Sequence, residues 1–143
     1  MGKTICVCGG EIVDRKCKRC KASKRPARTE RSAIKNRCYR TAEWIKYSIA
    51  FRERFPVCAH CERAGRVTAI SKGDKAGQVD HIKPFADMAD PLFWDEANHQ
   101  GLCVKCHGEK TWLETRGRYT AKMIRQDLQH RKLQIDAFND DFG

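Results

Sequence analysis

Two Cys-x-x-Cys pairs stand 41 residues apart in this chain, and an Asp-His pair lies between them. The pairs are Cys58 with Cys61 and Cys103 with Cys106. Four thiolates from two short segments form the closed tetrahedral shell of a structural zinc ion and leave no position open for water. We therefore predict a structural zinc site, and the long segment between its halves is expected to carry chemistry of its own.

Four further side chains in and just beyond that segment could carry this chemistry, namely Asp80, His81, Asn98 and His107. Each is weak on its own, because Asp-His pairs arise by chance, Asn98 could be a turn or cap residue, and His107 could be an alternative zinc ligand. One carboxylate with one imidazole can hold Mg²⁺, Mn²⁺ or Ni²⁺ and leave positions open for water and phosphate oxygens. A histidine with an unperturbed pKa near ~6.5 can accept a proton from water. Their order and their context with the cysteine clamp indicate an enzyme site.

The apolar pattern predicts three helices around this set. The first covers residues 41–55, with Thr41 as its N-cap, and Pro56 ends it. The second covers 104 to about 114, and the third covers 120 to about 138. An aromatic stripe on the first helix is expected to face the core; it consists of Trp44, Tyr47 or Ser48, Phe51 and Phe55.

Two short strands are predicted before the second cysteine pair. Residues 67–70 and 78–82 have strand character, and residues 72–77 between them have turn chemistry, which predicts a hairpin with a longish loop. Adjacent side chains of a regular strand point to opposite faces, so Asp80 and His81 can share one site only where the strand bends or ends. Residues 87–101 are predicted to be a polar loop.

The N-terminal region carries a second set of paired cysteines. Residues 1–24 are predicted to form a zinc knuckle, with a disordered, redox-labile tail as the alternative. Residues 25–40 are predicted to be a basic linker, and Cys38 stands alone. The candidate ligands of this second zinc are Cys6, Cys8, Cys17 and Cys20.

Composition limits the partners. The chain has 143 residues, roughly one domain, and a formal net charge of +11. A polyanion such as DNA is the expected partner, with a generic solubility charge as the alternative. No signal peptide or membrane-spanning run is visible, so we expect a cytoplasmic protein that keeps its thiols reduced and has no membrane partner.

The segment from about Tyr39 to Thr111 resembles the cysteine-bearing branch of the HNH endonucleases, which have a ββα-metal site. The resemblance covers about half the chain. It rests on Cys38 and Tyr39, Trp44, the residues 56–61, 79–84 and 102–111, and Asn98.

This resemblance implies an α+β fold in which a small zinc-stapled ββα-metal core is flanked by helices and preceded by the N-terminal zinc knuckle. It implies that Asp80 and His107 hold one catalytic divalent cation, that His81 is the general base, and that Asn98 keeps the His81 loop in register. Lys110 could contact a flanking DNA phosphate or be solvated. His99 replaces an apolar residue usual in the family, so it is expected to be an accessory ligand near the site or a surface residue, and His60 is expected at the surface.

The function predicted from these features is metal-dependent hydrolysis of phosphodiester bonds in DNA, by nicking or double-strand cutting. The nuclease domain is expected at residues 41–118, with a helical tail at 119–143. The resemblance also suggests a phage-encoded protein in the bacterial host cytoplasm, working beside the packaging terminase as a monomer or weak dimer. The alternatives are a non-catalytic zinc-ribbon DNA-binding or adaptor protein and, more weakly, an RNA-directed nuclease or RNA-binding protein.

Overall fold

The chain divides into two compact units, Met1–Ala33 and Ile34–Gly143. A computed structural model describes residue 5 and residues 9–13, 16–19, 29–71 and 76–143, with only the backbone of residues 16 and 17. Within those ranges the chain is a mixed α+β protein, dominated by helices and carrying two short two-stranded sheets.

The first unit contains a small antiparallel ribbon of β1 (Ile12–Val13) and β2 (Lys16–Cys17), in which Ile12 pairs with Cys17. Gly9, at the predicted knuckle turn, has a φ of 79°, a conformation that glycine adopts without strain. The predicted second zinc site lies outside the described residues, because these do not include the side chains of Cys6, Cys8, Cys17 and Cys20.

Two helices lead into the second unit, α1 (Glu30–Tyr39) and α2 (Ala42–Arg54). Much of the predicted basic linker is therefore helical. The Thr41 side chain caps α2 by accepting a hydrogen bond from the Trp44 backbone N–H at 3.3 Å, as predicted. Trp44, Phe51 and Phe55 of the aromatic stripe are buried and Tyr47 is half-buried against them, which confirms the assignment of the stripe to the core.

The second sheet pairs strands that differ from the predicted hairpin. β3 (Gln78–His81) runs antiparallel to β4 (His99–Leu102), with Asp80 opposite Gln100 and His81 opposite His99. Residues 67–70 form no strand; Ala69 makes a single bridge to Val57. The prediction that residues 67–70 pair with residues 78–82 is therefore wrong. Residues 67–70 lie instead beside residues 56–58, at the start of the first cysteine pair.

The predicted polar loop of residues 87–101 is also wrong, because it contains regular structure. Asp90 caps the short helix α4 (Pro91–Trp94), a 3-10 turn covers Glu96–Asn98, and β4 follows directly. A strand of sequence His-Gln-Gly-Leu has little intrinsic preference for the extended state, so only its partner strand and its burial reveal it.

The last two helices match their predictions. α5 (Val104–Thr115) begins at the second cysteine pair, and α6 (Ala121–Phe142) is capped by Thr120 and ends four residues beyond the predicted limit. Gly117 separates them with a φ of 64°. No helix in the described ranges is long and apolar enough to cross a membrane.

Two clusters of buried side chains form the core of the second unit. The aromatic core consists of Cys38, Trp44, Phe51, Phe55, Val79, Phe85 and Phe93. The cysteine cluster consists of Cys58, Ala59, Cys61, Ile70, Leu102 and Cys106, with Cys103 packed against it. The lone Cys38 is thus a buried core residue, 4% exposed.

Candidate metal centre and histidine site

The four predicted zinc ligands come together at one point. The sulfur atoms of Cys58, Cys61, Cys103 and Cys106 all lie within 4.8 Å of one another, and the cysteines are free rather than joined in disulfides. Two of the separations are 3.7 Å, from Cys61 to Cys106, and 4.0 Å, from Cys61 to Cys103. Sulfurs bound about 2.3 Å from a tetrahedral zinc ion lie about 3.8 Å apart, so this group could hold a structural metal ion such as zinc.

The same local structure presents both cysteine pairs. Cys58 is the N-cap of the short helix α3 (Ala59–Arg63) and Cys103 is the N-cap of α5, and neither side chain makes a capping hydrogen bond. The second cysteine of each pair lies in the first helical turn. Backbone N–H groups at a helix start favour negative charge, which suits thiolate ligands. A hydrogen bond from Thr68 is the main factor that lowers the pKa of the Cys61 thiol to about 6.

The β3–β4 ribbon has a polar face that carries Asp80. The Asp80 carboxylate accepts a hydrogen bond from the Gln100 side chain at 3.0 Å and an ion pair from Lys110 at 3.1 Å, both to Oδ2. Its other oxygen, Oδ1, lies 3.8 Å from Nε2 of His107. Burial raises the pKa of Asp80 above its ordinary value, with Lys110 acting in the opposite direction.

The separation of Asp80 and His107 fits two ligands of one cation. Ligand atoms each about 2.1 Å from an ion can be at most about 4.2 Å apart, and adjacent octahedral positions are about 3 Å apart. The donor set, one carboxylate and one imidazole, suits a hydrated divalent ion. Two protein ligands would leave most positions for water or substrate. The described residues bring together three or more candidate ligands only at the four cysteines.

Lys110 is buried, whereas it was predicted to be solvated or to contact DNA. Its side chain is 1% exposed, and its ammonium contacts the carboxylates of Asp80 and Glu114 and the backbone carbonyl of His81. The ammonium also lies over the Tyr119 ring, 4.5 Å from its centre. A buried lysine needs such partners, because removing an unpaired ammonium from water is costly. Lys110 therefore neutralises part of the charge at Asp80 and is not available to DNA.

The other face of the ribbon carries His81, which is only 4% exposed. Its ring stacks on Trp44 and on Phe93 at centre distances of 5.1 and 5.2 Å. Nε2 lies 2.9 Å from the Phe93 carbonyl oxygen, and Nδ1 lies 3.1 Å from the Tyr39 hydroxyl. Burial lowers the pKa of His81 to about 4, so the ring is neutral at pH 7. Asp80 and His81 thus lie on opposite faces of the strand.

His99 is a core residue rather than a surface group or an accessory ligand, which corrects both expectations for it. It is 0% exposed, and its Nε2 lies 2.8 Å from the same Phe93 carbonyl oxygen that His81 contacts. Its Nδ1 lies 2.5 Å from the Tyr47 hydroxyl. A carbonyl oxygen only accepts hydrogen bonds, so both histidines donate from Nε2 and both accept at Nδ1.

Asn98 is bonded to the loop that follows His81. Its Oδ1 accepts from the Lys83 backbone N–H at 2.8 Å, and its Nδ2 donates to the carbonyls of Lys83 and Leu92 at 3.1 Å. The side chain is 1% exposed. These three bonds join the end of β3 to α4, whose carbonyl at Phe93 orients His81.

A buried network behind Asp80 was not predicted from sequence. Asp127 of α6 is 2% exposed and accepts hydrogen bonds from Gln100, Tyr119, Arg63 and His60. His60, expected at the surface, is half-buried by this contact. Burial raises the Asp127 pKa, but the hydrogen bonds from His60, Tyr119 and Arg63 outweigh it and hold the pKa well below its usual range. One acidic residue on a helix otherwise rich in charge carries no signal of this role.

An open groove of about 480 Å³ is lined by neighbours of His81 and of Asp80 rather than by those two side chains. Its lining includes Tyr39 and Trp44 from the His81 side and His107 from the Asp80 side, together with Arg52 and Gln78. A ligand in this groove would reach the tyrosine that contacts His81 and the histidine that faces Asp80.

No protein-family model, curated protein or solved structure matches this chain.

Proposed function

We propose that this protein is a metal-dependent endonuclease of the HNH type that hydrolyses phosphodiester bonds in DNA. The observation that carries the proposal is the distance of 3.8 Å between two potential cation ligands, Asp80 Oδ1 and His107 Nε2. The residue after Asp80 is His81, whose ring is neutral and held by hydrogen bonds. The succession of elements also supports the proposal. β3 and β4 form an antiparallel pair and α5 follows β4, and a ββα-metal core has the same succession of two strands and a helix.

Asp80 and His107 would hold the divalent cation. When bound, such a cation would supply positive charge to offset the charge that develops on the phosphate and on the departing sugar oxygen. Lys110 adds a second fixed positive charge at Asp80 Oδ2, 3.1 Å away. Gln100 fixes the orientation of the same carboxylate.

His81 would act as the general base. Its donated bond to the Phe93 carbonyl fixes the tautomer, so that Nδ1 carries the lone pair that can take a proton. The aromatic residues around it keep it neutral, and Asn98 holds the loop that sets its position. Asn98 is in this proposal a positioning residue, because it touches the loop and α4 rather than the reacting atoms.

DNA as the substrate is supported by charge and by one surface feature. The net charge is +11, and the half-exposed Trp112 of α5 has the guanidinium groups of Arg116 and Arg118 at 4.4 and 5.9 Å from its ring centre. Arginines against an exposed aromatic ring can contact phosphates and bases. This exposed ring was not expected from the sequence pattern. It lies on the same helix as His107.

Conversion of supercoiled plasmid to nicked and linear forms tests the proposal. The purified protein is incubated with Mg²⁺, Mn²⁺ or Ni²⁺, with EDTA as the metal-free control. We expect metal-dependent cutting that His81→Ala abolishes while zinc content and DNA binding are retained. The melting temperature should fall, because His81 is buried among aromatic rings and its removal leaves a cavity. His130→Ala is the matched control, because His130 of α6 contacts Glu62 of α3 rather than the proposed site residues and should leave cutting unchanged.

A zinc-containing DNA-binding protein without catalytic activity is the second candidate. The ion pair of Lys110 with Asp80 favours it, because a buried ammonium already balances the carboxylate that a cation would need. DNA binding without cutting by any of the three metals, in a protein that carries zinc, would select this candidate. Equal loss of stability and binding in His81→Ala would also make His81 structural.

A further inference from the structure

The hydroxyl of Tyr39 contacts His81, and Tyr39 is one of the residues that line the open groove. The groove lining includes Tyr39 but not His81 among the described residues. We propose, on the basis of the nuclease function above, that Tyr39 is a further catalytic residue. Its hydroxyl receives the attacking water and passes a proton to Nδ1 of His81.

The hydrogen bonds of His81 leave it no free lone pair. Nε2 donates to the Phe93 carbonyl at 2.9 Å, and Nδ1 lies 3.1 Å from the Tyr39 hydroxyl. An imidazole nitrogen that accepts has a single lone pair, in the plane of the ring. The Tyr39 hydroxyl therefore donates to Nδ1 and occupies the position that a water would need for direct contact with the base.

The packing of Tyr39 indicates that the hydroxyl stays in this position. Its ring contacts Trp44 at 5.5 Å and Phe85 at 5.8 Å, besides His81 at 5.9 Å, all between ring centres. A tyrosine held on three sides cannot release Nδ1 by a simple rotation of its hydroxyl, which would leave the oxygen where it is. The oxygen keeps lone pairs that can accept a hydrogen bond from a water in the groove.

The step balances as a two-proton transfer. An O–H bond of the water breaks and its proton moves to the Tyr39 oxygen, while the hydroxyl proton of Tyr39 moves to Nδ1 of His81. The water oxygen forms a bond to phosphorus, and the bond from phosphorus to the leaving sugar oxygen breaks. That sugar oxygen takes a proton from a second solvent water. Tyr39 ends neutral, and His81 ends as imidazolium.

Tyr47 provides a matched control within the same chain. Its hydroxyl lies 2.5 Å from Nδ1 of His99, whose Nε2 contacts the same Phe93 carbonyl. The hydrogen-bond pattern is the same, but the groove lining among the described residues does not include Tyr47. Removing either hydroxyl deletes one hydrogen bond to a histidine, and of the two tyrosines only Tyr39 lines the groove.

The test compares Tyr39→Phe with Tyr47→Phe in steady-state plasmid cleavage, after wild type and His81→Ala have shown whether the protein cuts DNA through His81. We expect Tyr39→Phe to lower kcat by about 10²-fold with KM within a factor of about two, since general acid–base groups contribute about 10²–10⁴-fold. Tyr47→Phe should keep kcat within about threefold. Cleavage in mixtures of H₂O and D₂O gives an independent measurement on the wild type. A curved dependence on the deuterium fraction is expected when two protons move together.

Three results would overturn the inference while leaving the nuclease function intact. They are wild-type kcat in Tyr39→Phe, equal losses in both phenylalanine variants, and a linear isotope dependence in the wild type. If Tyr39→Phe does not fold, the isotope dependence decides. Absence of cutting by the wild type itself would instead reject the nuclease proposal.

Discussion

The two faces of the β3–β4 ribbon place the adjacent residues Asp80 and His81 in opposite environments, one polar and one aromatic. On one face Asp80 lies among charged and amide groups from α5 and α6; on the other, His81 lies among aromatic rings from α1, α2 and α4. In the first environment the Lys110 ammonium and an amide surround the Asp80 carboxylate, and His107 lies beside it. The second removes charge and keeps the histidine neutral. The alternation of side chains along one strand thus separates the proposed cation ligand Asp80 from the proposed general base His81.

The largest effect should come from breaking the cysteine cluster, which anchors α5 and therefore the polar face. Cys103→Ser removes one ligand, and we expect loss of the metal and unfolding of the second unit, because structural zinc contributes about 10 kcal/mol or more to folding in small domains. Metal analysis and thermal melting measure this. Cys38→Ala is the control, since Cys38 is buried in the aromatic core and should keep the metal. Full metal content in Cys103→Ser would contradict the site.

Asp127→Asn tests the polar face without touching the proposed cation ligands. It leaves Arg63 and His60 without their anion, and we expect a loss of about 3 kcal/mol in the free energy of unfolding. Urea denaturation measures it, with Asp136→Asn as the control, an exposed aspartate on the same helix. An unchanged midpoint would mean that the network contributes nothing to stability.

The loss of stability in Asp127→Asn should depend on pH. The Asp127 pKa in the folded state is below its value of about 3.9 in the unfolded state, so its contribution is complete above that pH and is lost as the pH falls through the folded pKa. The stability difference between wild type and Asp127→Asn should be constant near neutral pH and shrink below about pH 4. A difference that grows on acidification would contradict the sign of this shift.

Asn98→Ala tests the link that fixes the aromatic face. It deletes three hydrogen bonds to Lys83 and Leu92 and leaves buried backbone groups without partners, so we expect a loss of about 2–3 kcal/mol. Cleavage should fall as well, because the loop after His81 is no longer held. Asn139→Ala, at an exposed position of α6, is the control. Retention of both stability and cleavage would remove Asn98 from the positioning role.

The smallest effect is expected at the surface of α5. The double variant Arg116→Ala with Arg118→Ala should weaken DNA binding and reduce the slope of log affinity against log salt by about 1.8, if each arginine neutralises one phosphate. Binding is measured with the His81→Ala protein, so that the DNA stays intact. Lys122→Ala with Lys132→Ala removes the same charge from α6 as a control. Equal slopes in both double variants would indicate a general charge effect instead of a contact at Trp112.

Local signals in the sequence were enough to predict several elements. Thr41 is the N-cap of α2, as predicted, because a hydroxyl just before an amphipathic helical stretch satisfies one of the first free N–H groups of the helix. The aromatic stripe follows the helical repeat, and Trp44, Phe51 and Phe55 in it are buried. The Cys-x-x-Cys spacing lets each pair offer two thiolates to one ion, and the four do cluster. These predictions succeed because each depends on residues close together in the chain.

Contacts between residues that are far apart in the chain were decided only by the tertiary structure. The partner of β3 is β4 rather than residues 67–70, because strand pairing depends on burial and register, and β4 has no strand pattern of its own. Lys110 of α5 and Asp127 of α6 are buried by contacts with other elements of the fold. The contact between Tyr39 and His81 joins α1 to β3. The residue types and their order determined which chemistry was available. Packing of α1, α2 and α6 onto the ribbon decided which of those groups became charged, neutral or open to the groove.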